Sequence, residues 1–217
     1  SKVKVMNVCV NDLRTGLFKT LIEMGANIKF TNSREINGEL TADITAETSK
    51  LNGIKVPKLR AASMIDEYPI LAIAAVKAEG DTIMEGIEEL RYKETDRIKA
   101  VCEGLQKVGV KTIETHNSMV VKGLGPQGQI NQNIEINSNL DHRIAMSFLI
   151  ASLRSKKGIY VEDCKNIFTL FPNFIIGRYF PDQIGVYLNV PVDSGHTLQK
   201  RVIYTTDGNA ISDQSVD

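Results

Sequence analysis

A repeat within the sequence places the strongest constraint on the fold. The strings TLIEMGANI, from Thr20, and GLQKVGVKT, from Gly104, share a Leu, an apolar residue, a Gly and a further apolar residue at a separation of 84 residues. In each copy a helical pattern ends at a glycine, Gly25 or Gly109, and an apolar, strand-like run follows. Two such units predict a stack of repeated α/β units in preference to a single doubly wound sheet.

Other local signals extend this prediction along the chain. Strand patterns cover residues 2–10 and 26–30. Ser63, followed by Asp66, resembles a capping box for a helix that runs to about Ala78. Asp141 is expected to cap a further helix, and a short strand is expected near residues 159–162. The order of these elements again predicts an α/β protein.

Composition excludes several classes of protein. With 217 residues, of which 42% are hydrophobic and 24% charged, the chain is long enough for one large domain, or one domain with an appendage. Basic and acidic residues both number 26, so no overall field attracts nucleic acid or an anionic membrane. The apolar run from Ile70 to Val76 is under half of the roughly 20 residues that span a bilayer. We expect neither a nucleic-acid partner nor a membrane helix.

The cysteines indicate a compartment. Cys9, Cys102 and Cys164 lie far apart, and no CxxC pair is present. The odd count argues against a disulfide framework, and the spacing argues against a zinc site, so we expect a reducing cytoplasm and no metal. The N-terminal string SKVKVMNVCVND has the pattern of a strand and not of a signal peptide. Because the chain starts within this strand pattern, we expect that sequence upstream is missing.

The string KETDR concentrates charge where a helix is expected to begin. A helix from about Lys93 would bring Lys93, Glu94 and Arg97 within one turn, with an apolar stripe from Ile98 facing the core. The free N–H groups and the dipole at such an N-terminus favour a phosphate or a carboxylate. The alternative is a solvated helix face of paired charges.

Two further clusters have the same form. The string DHR places His142 and Arg143 in the first turn of a helix, and Asp66 and Glu67 stand at the start of another. A single His in such a place is more often a surface or cap residue than an acid or base. Carboxylates are also generally favoured at helix starts. Each cluster alone is therefore weak evidence for a site.

The order of these strings identifies a family. IDEYPILAIAAVKAEG, ELRYKETDRI, DHRIAMSFLIASL and FPNF occur in this order, and from about Val3 to Phe174 the chain resembles the 5-enolpyruvylshikimate-3-phosphate (EPSP) synthase family. The resemblance implies a domain of repeated βαβαββ units, the inside-out α/β barrel-like enolpyruvyl transferase fold. UDP-N-acetylglucosamine enolpyruvyl transferases share that fold without the KETDR and DHRIAM strings, and are a distant alternative. RNA 3′-phosphate cyclases are another, which the absence of a basic stripe with interleaved aromatic residues argues against.

The resemblance implies a reaction of the shikimate pathway of aromatic amino acid biosynthesis. The enolpyruvyl group of phosphoenolpyruvate moves to the 5-hydroxyl of shikimate 3-phosphate, and phosphate is released, with no metal or cofactor. By motif, Asp66 matches the carboxylate that takes the hydroxyl proton. Glu94 matches the one that protonates the methylene carbon, and Lys93 is expected between the two substrates.

The same resemblance implies how the anions are held. Arg97 and Arg143 match the pair that grips the carboxylate and phosphate of phosphoenolpyruvate, and His142 is adjacent. Planar, bidentate guanidinium groups suit both anions. Glyphosate, the family's inhibitor at the phosphoenolpyruvate site, would contact Lys93, Glu94 and the two arginines.

One part of the family pattern does not occur in this sequence. The upstream domain of the family carries a GDKS-type Lys-Ser-Arg motif, an Asn-Gly-Thr turn and a Ser-Ser-Gln phosphate cradle, and none is present. We therefore expect residues 1–182 to form most of one of the family's two domains, with the missing N-terminal domain as partner. A non-catalytic remnant, or an anion-binding module of the same fold, is the alternative. Residues 183–217 are expected to be an extension, either loosely packed or paired as strands with an exposed sheet edge.

Overall fold

The computed structural model describes residues 1–131, 133–153, 155, 158–164, 167, 174–179, 183–191, 197–205 and 210–213. Within them, four α-helices are joined by short 3₁₀ turns and by strands. The helices are α1 (Gly16–Glu23), α2 (Tyr68–Ala75), α3 (Arg97–Lys107) and α4 (His142–Ser152). In this described part of the chain, no helix is both long and apolar enough to cross a bilayer.

Within the described residues, the strands form five small sheets. In chain order they are β1 (Lys2–Cys9), β2 (Asn27–Ile36), β3 (Glu39–Glu47), β4 (Leu51–Asn52), β5 (Lys55–Val56), β6 (Ala78–Glu79), β7 (Asp81–Glu85), β8 (Thr112–Thr115), β9 (Ser118–Lys122), β10 (Ile134–Asn137), β11 (Ile159–Glu162), β12 (Phe174–Tyr179), β13 (Gln183–Pro191), β14 (Thr197–Thr205) and β15 (Ala210–Asp213). The sheet orders are β1-β3-β2, β4-β6, β5-β7-β9-β8, β10-β11 and β12-β13-β14-β15.

The predicted repeat is present in the backbone. Gly25 after α1 and Gly109 after α3 both have positive φ, +101° and +87°, which a glycine adopts without steric cost. In both copies the glycine N–H bonds to the carbonyl three residues before it, at 2.9 Å. The next N–H bonds to the carbonyl five residues before it, also at 2.9 Å. These shared bonds end each helix in the same way and turn the chain into a strand.

The sheets repeat as well. Strands β1, β3 and β2 pair antiparallel in the same order as β7, β9 and β8. In the second copy β5 adds a parallel strand beside β7. Helix α2 connects the parallel strands β4 and β6, and α4 connects the parallel strands β10 and β11. The run from β4 to β9 therefore contains one complete βαβαββ unit, because the broken strands β4/β5 and β6/β7 each count once.

Helices α2, α3 and α4 supply a large part of the core. These helices contact one another, and each also contacts strands among β7–β11. Large side chains with at most 1% exposure include Tyr68, Leu71, Met84, Ile98, Leu105 and Phe148. The starts of α2 and α4 also lie close together, because Arg143 in the first turn of α4 contacts Asp66 and Glu67 just before α2.

Two predicted helix starts are wrong. The helix expected from about Lys93 begins at Arg97, because the Asp96 side chain caps it by accepting from the Lys99 N–H at 3.0 Å. No capping box forms at Ser63, whose hydroxyl instead donates to the Arg60 carbonyl within a 3₁₀ turn. A second 3₁₀ turn, Ile65–Glu67, precedes α2, which ends before the predicted limit at residue 78.

Strands occupy the C-terminal segment. Strand β12 pairs antiparallel with β13, β13 with β14, and β14 with β15. The described strands of this sheet thus pair with each other and not with β1 or any other strand before residue 174. The expected domain boundary at residue 182 falls in the connection between β12 and β13.

Gly104 tests the packing of α3 against α4. A Cβ atom at this position would lie 2.3 Å from Cζ of Phe148. Helix propensity alone favours alanine by about 1 kcal/mol, but we expect Gly104→Ala to lower the free energy of unfolding by about 1–3 kcal/mol through overpacking. Urea unfolding measures the change. In a Phe148→Leu background the loss should shrink, and a stabilising Gly104→Ala in the wild-type chain would contradict the packing described.

Candidate active site

Charged residues from three separated segments meet in one cluster. The segments are the turn before α2, the loop and first residue of α3, and the first turn of α4 with its cap. We call this set the charge cluster; its members are Asp66, Lys93, Glu94, Arg97, Asp141, His142 and Arg143. All six residues that the sequence singled out as site candidates therefore lie together, and Asp141 is the seventh member of the cluster.

The guanidinium of Arg97 is the centre of the cluster. Its Nε donates to Asp141 Oδ2 at 2.8 Å and its Nη1 to Asp66 Oδ1 at 3.1 Å. Its Nη2 donates to Glu94 Oε2 at 2.5 Å. Only 1% of the Arg97 side chain and 0% of the Asp141 side chain are exposed. Two of the five N–H groups remain for another acceptor, but the Arg97 side chain is so deeply buried that a ligand reaches them only if neighbouring side chains move. Anion binding by Arg97 therefore stays a prediction.

Three cations lie within 4.0 Å of the Asp66 carboxylate. Besides Arg97, Arg143 Nη2 lies 3.3 Å from Asp66 Oδ2, and Lys93 Nζ lies 4.0 Å from Asp66 Oδ1. Lys93 Nζ also bonds to Glu89 Oε1 at 2.6 Å. The side chains of Lys93 and Arg143 are 24% and 28% exposed, so these two cations, unlike Arg97, can meet a ligand directly.

Asp141 has two structural tasks. Its Oδ1 accepts from the N–H groups of Arg143 and Ile144, at 2.9 and 3.3 Å, and so caps α4. Its Oδ2 is paired with Arg97. The cap was predicted from the sequence, but the ion pair was not. No local pattern reveals it, since the two partners are 44 residues apart.

His142 lies at the edge of the cluster and is largely buried. Its Nδ1 is 3.9 Å from Glu94 Oε1. Burial lowers the pKa of His142 below its usual 6.5, and Arg143 and Arg97 act in the same direction, while the carboxylates of Asp141 and Glu94 oppose the shift. Neutral His142 is therefore the form expected at pH 7.

The charges of the cluster nearly balance. Three cations face the carboxylates of Asp66, Glu94 and Asp141, with Glu67 3.6 Å from Arg143. The Arg97 guanidinium forms the buried base of the cluster. The more exposed groups, those of Asp66, Lys93, Glu94 and Arg143, form a rim that can bind an anion, or accept or donate a proton. Nowhere in the described part of the chain do three or more His, Cys, Asp or Glu side chains lie where they could hold a metal ion.

Comparison with known proteins identifies the family. A family model described as EPSP synthase (3-phosphoshikimate 1-carboxyvinyltransferase) matches residues 1–176. The chain belongs to the EPSP synthase family. This membership confirms the resemblance found in the sequence. Residues 171–173 of the FPNF string lie outside the described residues.

Relatives of the EPSP synthase family match most of this chain. A 3-phosphoshikimate 1-carboxyvinyltransferase of Parvibaculum lavamentivorans is 49% identical over 174 residues, which are 80% of this chain and 38% of the relative. One of Brucella abortus is 49% identical over 175 residues, 81% of this chain and 39% of the relative. The chain thus spans about two fifths of the length of these curated relatives.

Solved EPSP synthase structures share the fold. A structure of EPSP synthase from Acinetobacter baumannii aligns with a TM-score of 0.75 at 39% sequence identity. The alignment covers 79% of this chain and 40% of that one. The predicted fold class, the inside-out α/β fold of repeated units, is confirmed.

The buried ion pair of Arg97 leads to a stability prediction. Asp141→Asn keeps a side-chain acceptor for the α4 cap but leaves Arg97 without its fully buried partner. We expect the free energy of unfolding in urea to fall by about 3 kcal/mol. The control Asp81→Asn removes the half-exposed partner of Lys122 and should cost less than about 1 kcal/mol. Equal losses for the two variants would contradict the buried pair.

His142 leads to a prediction on pH. Since its pKa is lower in the folded chain than the 6.5 of the unfolded one, the unfolded chain binds more protons, and His142 makes stability fall as the pH drops below about 6.5. Below about pH 6.5, His142→Asn should flatten the dependence of unfolding free energy on pH. An imidazole of His142 that titrates above 6.5 by NMR would contradict this.

Proposed function

We propose that this chain carries part of the active site of a 3-phosphoshikimate 1-carboxyvinyltransferase. The observation that carries the proposal is the convergence of the KETDR and DHR residues on Asp66 around one buried guanidinium, in a chain of the EPSP synthase family. The substrates would be phosphoenolpyruvate and shikimate 3-phosphate. Relatives that are 49% identical bear the name of this transferase, which supports the proposal.

Phosphoenolpyruvate would bind at the cations of the rim. Lys93 and Arg143 are accessible, and a guanidinium can grip a carboxylate or a phosphate with two parallel hydrogen bonds. Arg97 would join them when a substrate anion replaces Glu94 or Asp66 at one of its N–H groups. His142, beside Glu94, would lie next to this position. Glyphosate would compete for the same contacts.

The two solvent-accessible carboxylates, Asp66 and Glu94, would divide the proton transfers. Asp66 would take the proton of the 5-hydroxyl while the hydroxyl oxygen forms a bond to C2 of phosphoenolpyruvate. Glu94 would give a proton to the methylene carbon, which becomes a methyl group in the tetrahedral intermediate. In the second step the Glu94 carboxylate takes a proton back from that methyl group, the double bond re-forms, and phosphate departs with the proton held by Asp66. An acid and a base on separate side chains serve both steps.

The charge balance supports a role for a further domain. Each substrate bears a carboxylate and a phosphate, whereas the three cations of the cluster already face three carboxylates. More cations are needed to hold both substrates against their repulsion. The N-terminal part of the family's chain would supply them, since this chain spans 38–39% of its relatives. Residues 1–182 would then be most of one domain, and residues 183–217 an extension.

The proposed setting is the cytoplasm, and the proposed chemistry uses no cofactor. The three cysteines, Cys9, Cys102 and Cys164, are unpaired thiols, as a reducing compartment requires. Both proton transfers are assigned to side chains of this chain. The shikimate pathway would be the metabolic place of the reaction.

Phosphate release tests the proposal. The chain, with both substrates, is assayed alone and after mixing with the N-terminal portion of a family member. We expect no turnover alone and turnover on mixing, because the cluster holds only part of the cations required. Glu94→Gln should lower the rate of the mixture by about 100-fold or more, since it removes the proposed acid.

A control on the same helix sharpens the test. Glu103 lies on α3, is exposed, and pairs with Lys99 outside the cluster. Glu103→Gln should leave turnover unchanged. A folded chain that binds phosphoenolpyruvate but gives no turnover on mixing would instead favour the anion-binding module. Full turnover by the chain alone would contradict the need for a further domain.

A further inference from the structure

Arg91 makes an unusually complete set of contacts outside the charge cluster. It belongs to the 3₁₀ turn Glu88–Tyr92, and its side chain is 17% exposed. Nε donates to the His116 carbonyl at 2.8 Å, and Nη2 donates to the Thr115 carbonyl at 2.5 Å and to Glu114 Oε2 at 3.0 Å. These three partners all belong to the β8–β9 hairpin.

The fourth contact of Arg91 reaches the start of α3. Nη1 donates to Asp96 Oδ2 at 2.7 Å, while Asp96 Oδ1 accepts from the Lys99 N–H at 3.0 Å. One carboxylate thus caps the helix and is itself held by the guanidinium. Through Asp96, Arg91 connects the hairpin to the first turn of α3.

The segment between these two residues carries reactive groups on irregular backbone. Residues 93–96 are neither helix nor strand, and Lys93 has an extended backbone. Lys93 and Glu94 belong to this segment, which has no backbone ladder of its own to fix it. The 3₁₀ turn before it is anchored by the Ile87 N–H, which donates to the Asn117 carbonyl at 3.1 Å. Arg91 and Asp96 close the segment at both ends.

We propose that Arg91 is a positioning residue for the candidate active site. By holding Asp96 against the hairpin, it sets where Lys93 and Glu94 lie relative to Asp66 and the Arg97 guanidinium. The inference rests on the proposed function for its catalytic meaning. A guanidinium suits the task because it donates to four acceptors in one plane, whereas a lysine at this site can satisfy only some of them.

The experiment compares three variants of the full chain. Arg91→Met removes all four contacts, and Arg91→Lys keeps the charge, so it remains informative if the first variant does not fold. Arg60→Met is the matched control: Arg60 is 16% exposed, bonds to Glu23 through both Nη atoms, and lies outside the cluster. Urea unfolding measures the global loss of stability in each.

Two local measurements separate positioning from general stability. Amide hydrogen exchange reports the Lys99 N–H that Asp96 caps, and calorimetry reports phosphoenolpyruvate binding. We expect both Arg91 variants to exchange the Lys99 amide faster than their global destabilisation accounts for. Their phosphoenolpyruvate dissociation constant should rise by about tenfold, because a displaced Lys93 would lose about one hydrogen bond to the charged ligand. Arg60→Met should change neither local quantity beyond its global effect.

The outcomes distinguish the two proposals. If Arg91→Lys and Arg91→Met change Lys99 exchange and ligand binding no more than Arg60→Met does, Arg91 is a structural residue and the inference is overturned. If the folded wild-type chain binds no phosphoenolpyruvate and gives no turnover on mixing, the proposed function fails, while Lys99 exchange still decides whether Arg91 positions the loop. Non-additive effects on that exchange in an Arg91→Lys, Asp96→Asn pair would show that Arg91 acts through Asp96.

Discussion

The buried guanidinium of Arg97 is the interaction on which the arrangement of this domain depends. A charge enclosed by protein is strongly destabilising unless it is paired, and here its carboxylate partners come from the turn before α2, the loop before α3 and the cap of α4. The folded chain can bury Arg97 only by bringing those three segments together. The need to pair the buried charge of Arg97 therefore also brings the residues of the candidate active site together.

Two aspartates at helix starts give this assembly its precision. Asp96 and Asp141 each cap a helix with one carboxylate oxygen and pair with an arginine through the other. A cap fixes where a helix begins, and an ion pair fixes where that beginning lies in the fold. The loop that carries Lys93 and Glu94 precedes α3. It lies between the Asp96 cap of that helix and Arg91, which is bonded to the β8–β9 hairpin.

The electrostatics of the cluster agree with a site that is shared between domains. Cations and carboxylates nearly balance, so the charges of the cluster are paired without a ligand and little positive charge is spare. In the proposed reaction both substrates are polyanions, and their charge must be met by groups from the rest of the family's chain. A chain that spans 38–39% of its relatives would then hold the proton-transfer groups and only part of the anion-binding groups.

Local sequence determined the repeat, its glycine helix ends at Gly25 and Gly109, the cap at Asp141 and the family to which the chain belongs. It also indicated which charged residues lie together, since the strings that identify the family contain them. It misplaced the start of α3. The spacing of charges from Lys93 is compatible with a helix that begins there, but in the structure the Asp96 side chain accepts from the Lys99 N–H and so the helix begins at Arg97. Only the tertiary structure decided that Arg97 is buried and bonded to Asp141, because burial and pairing across 44 residues arise from the packing of helices and not from any periodic pattern along one of them.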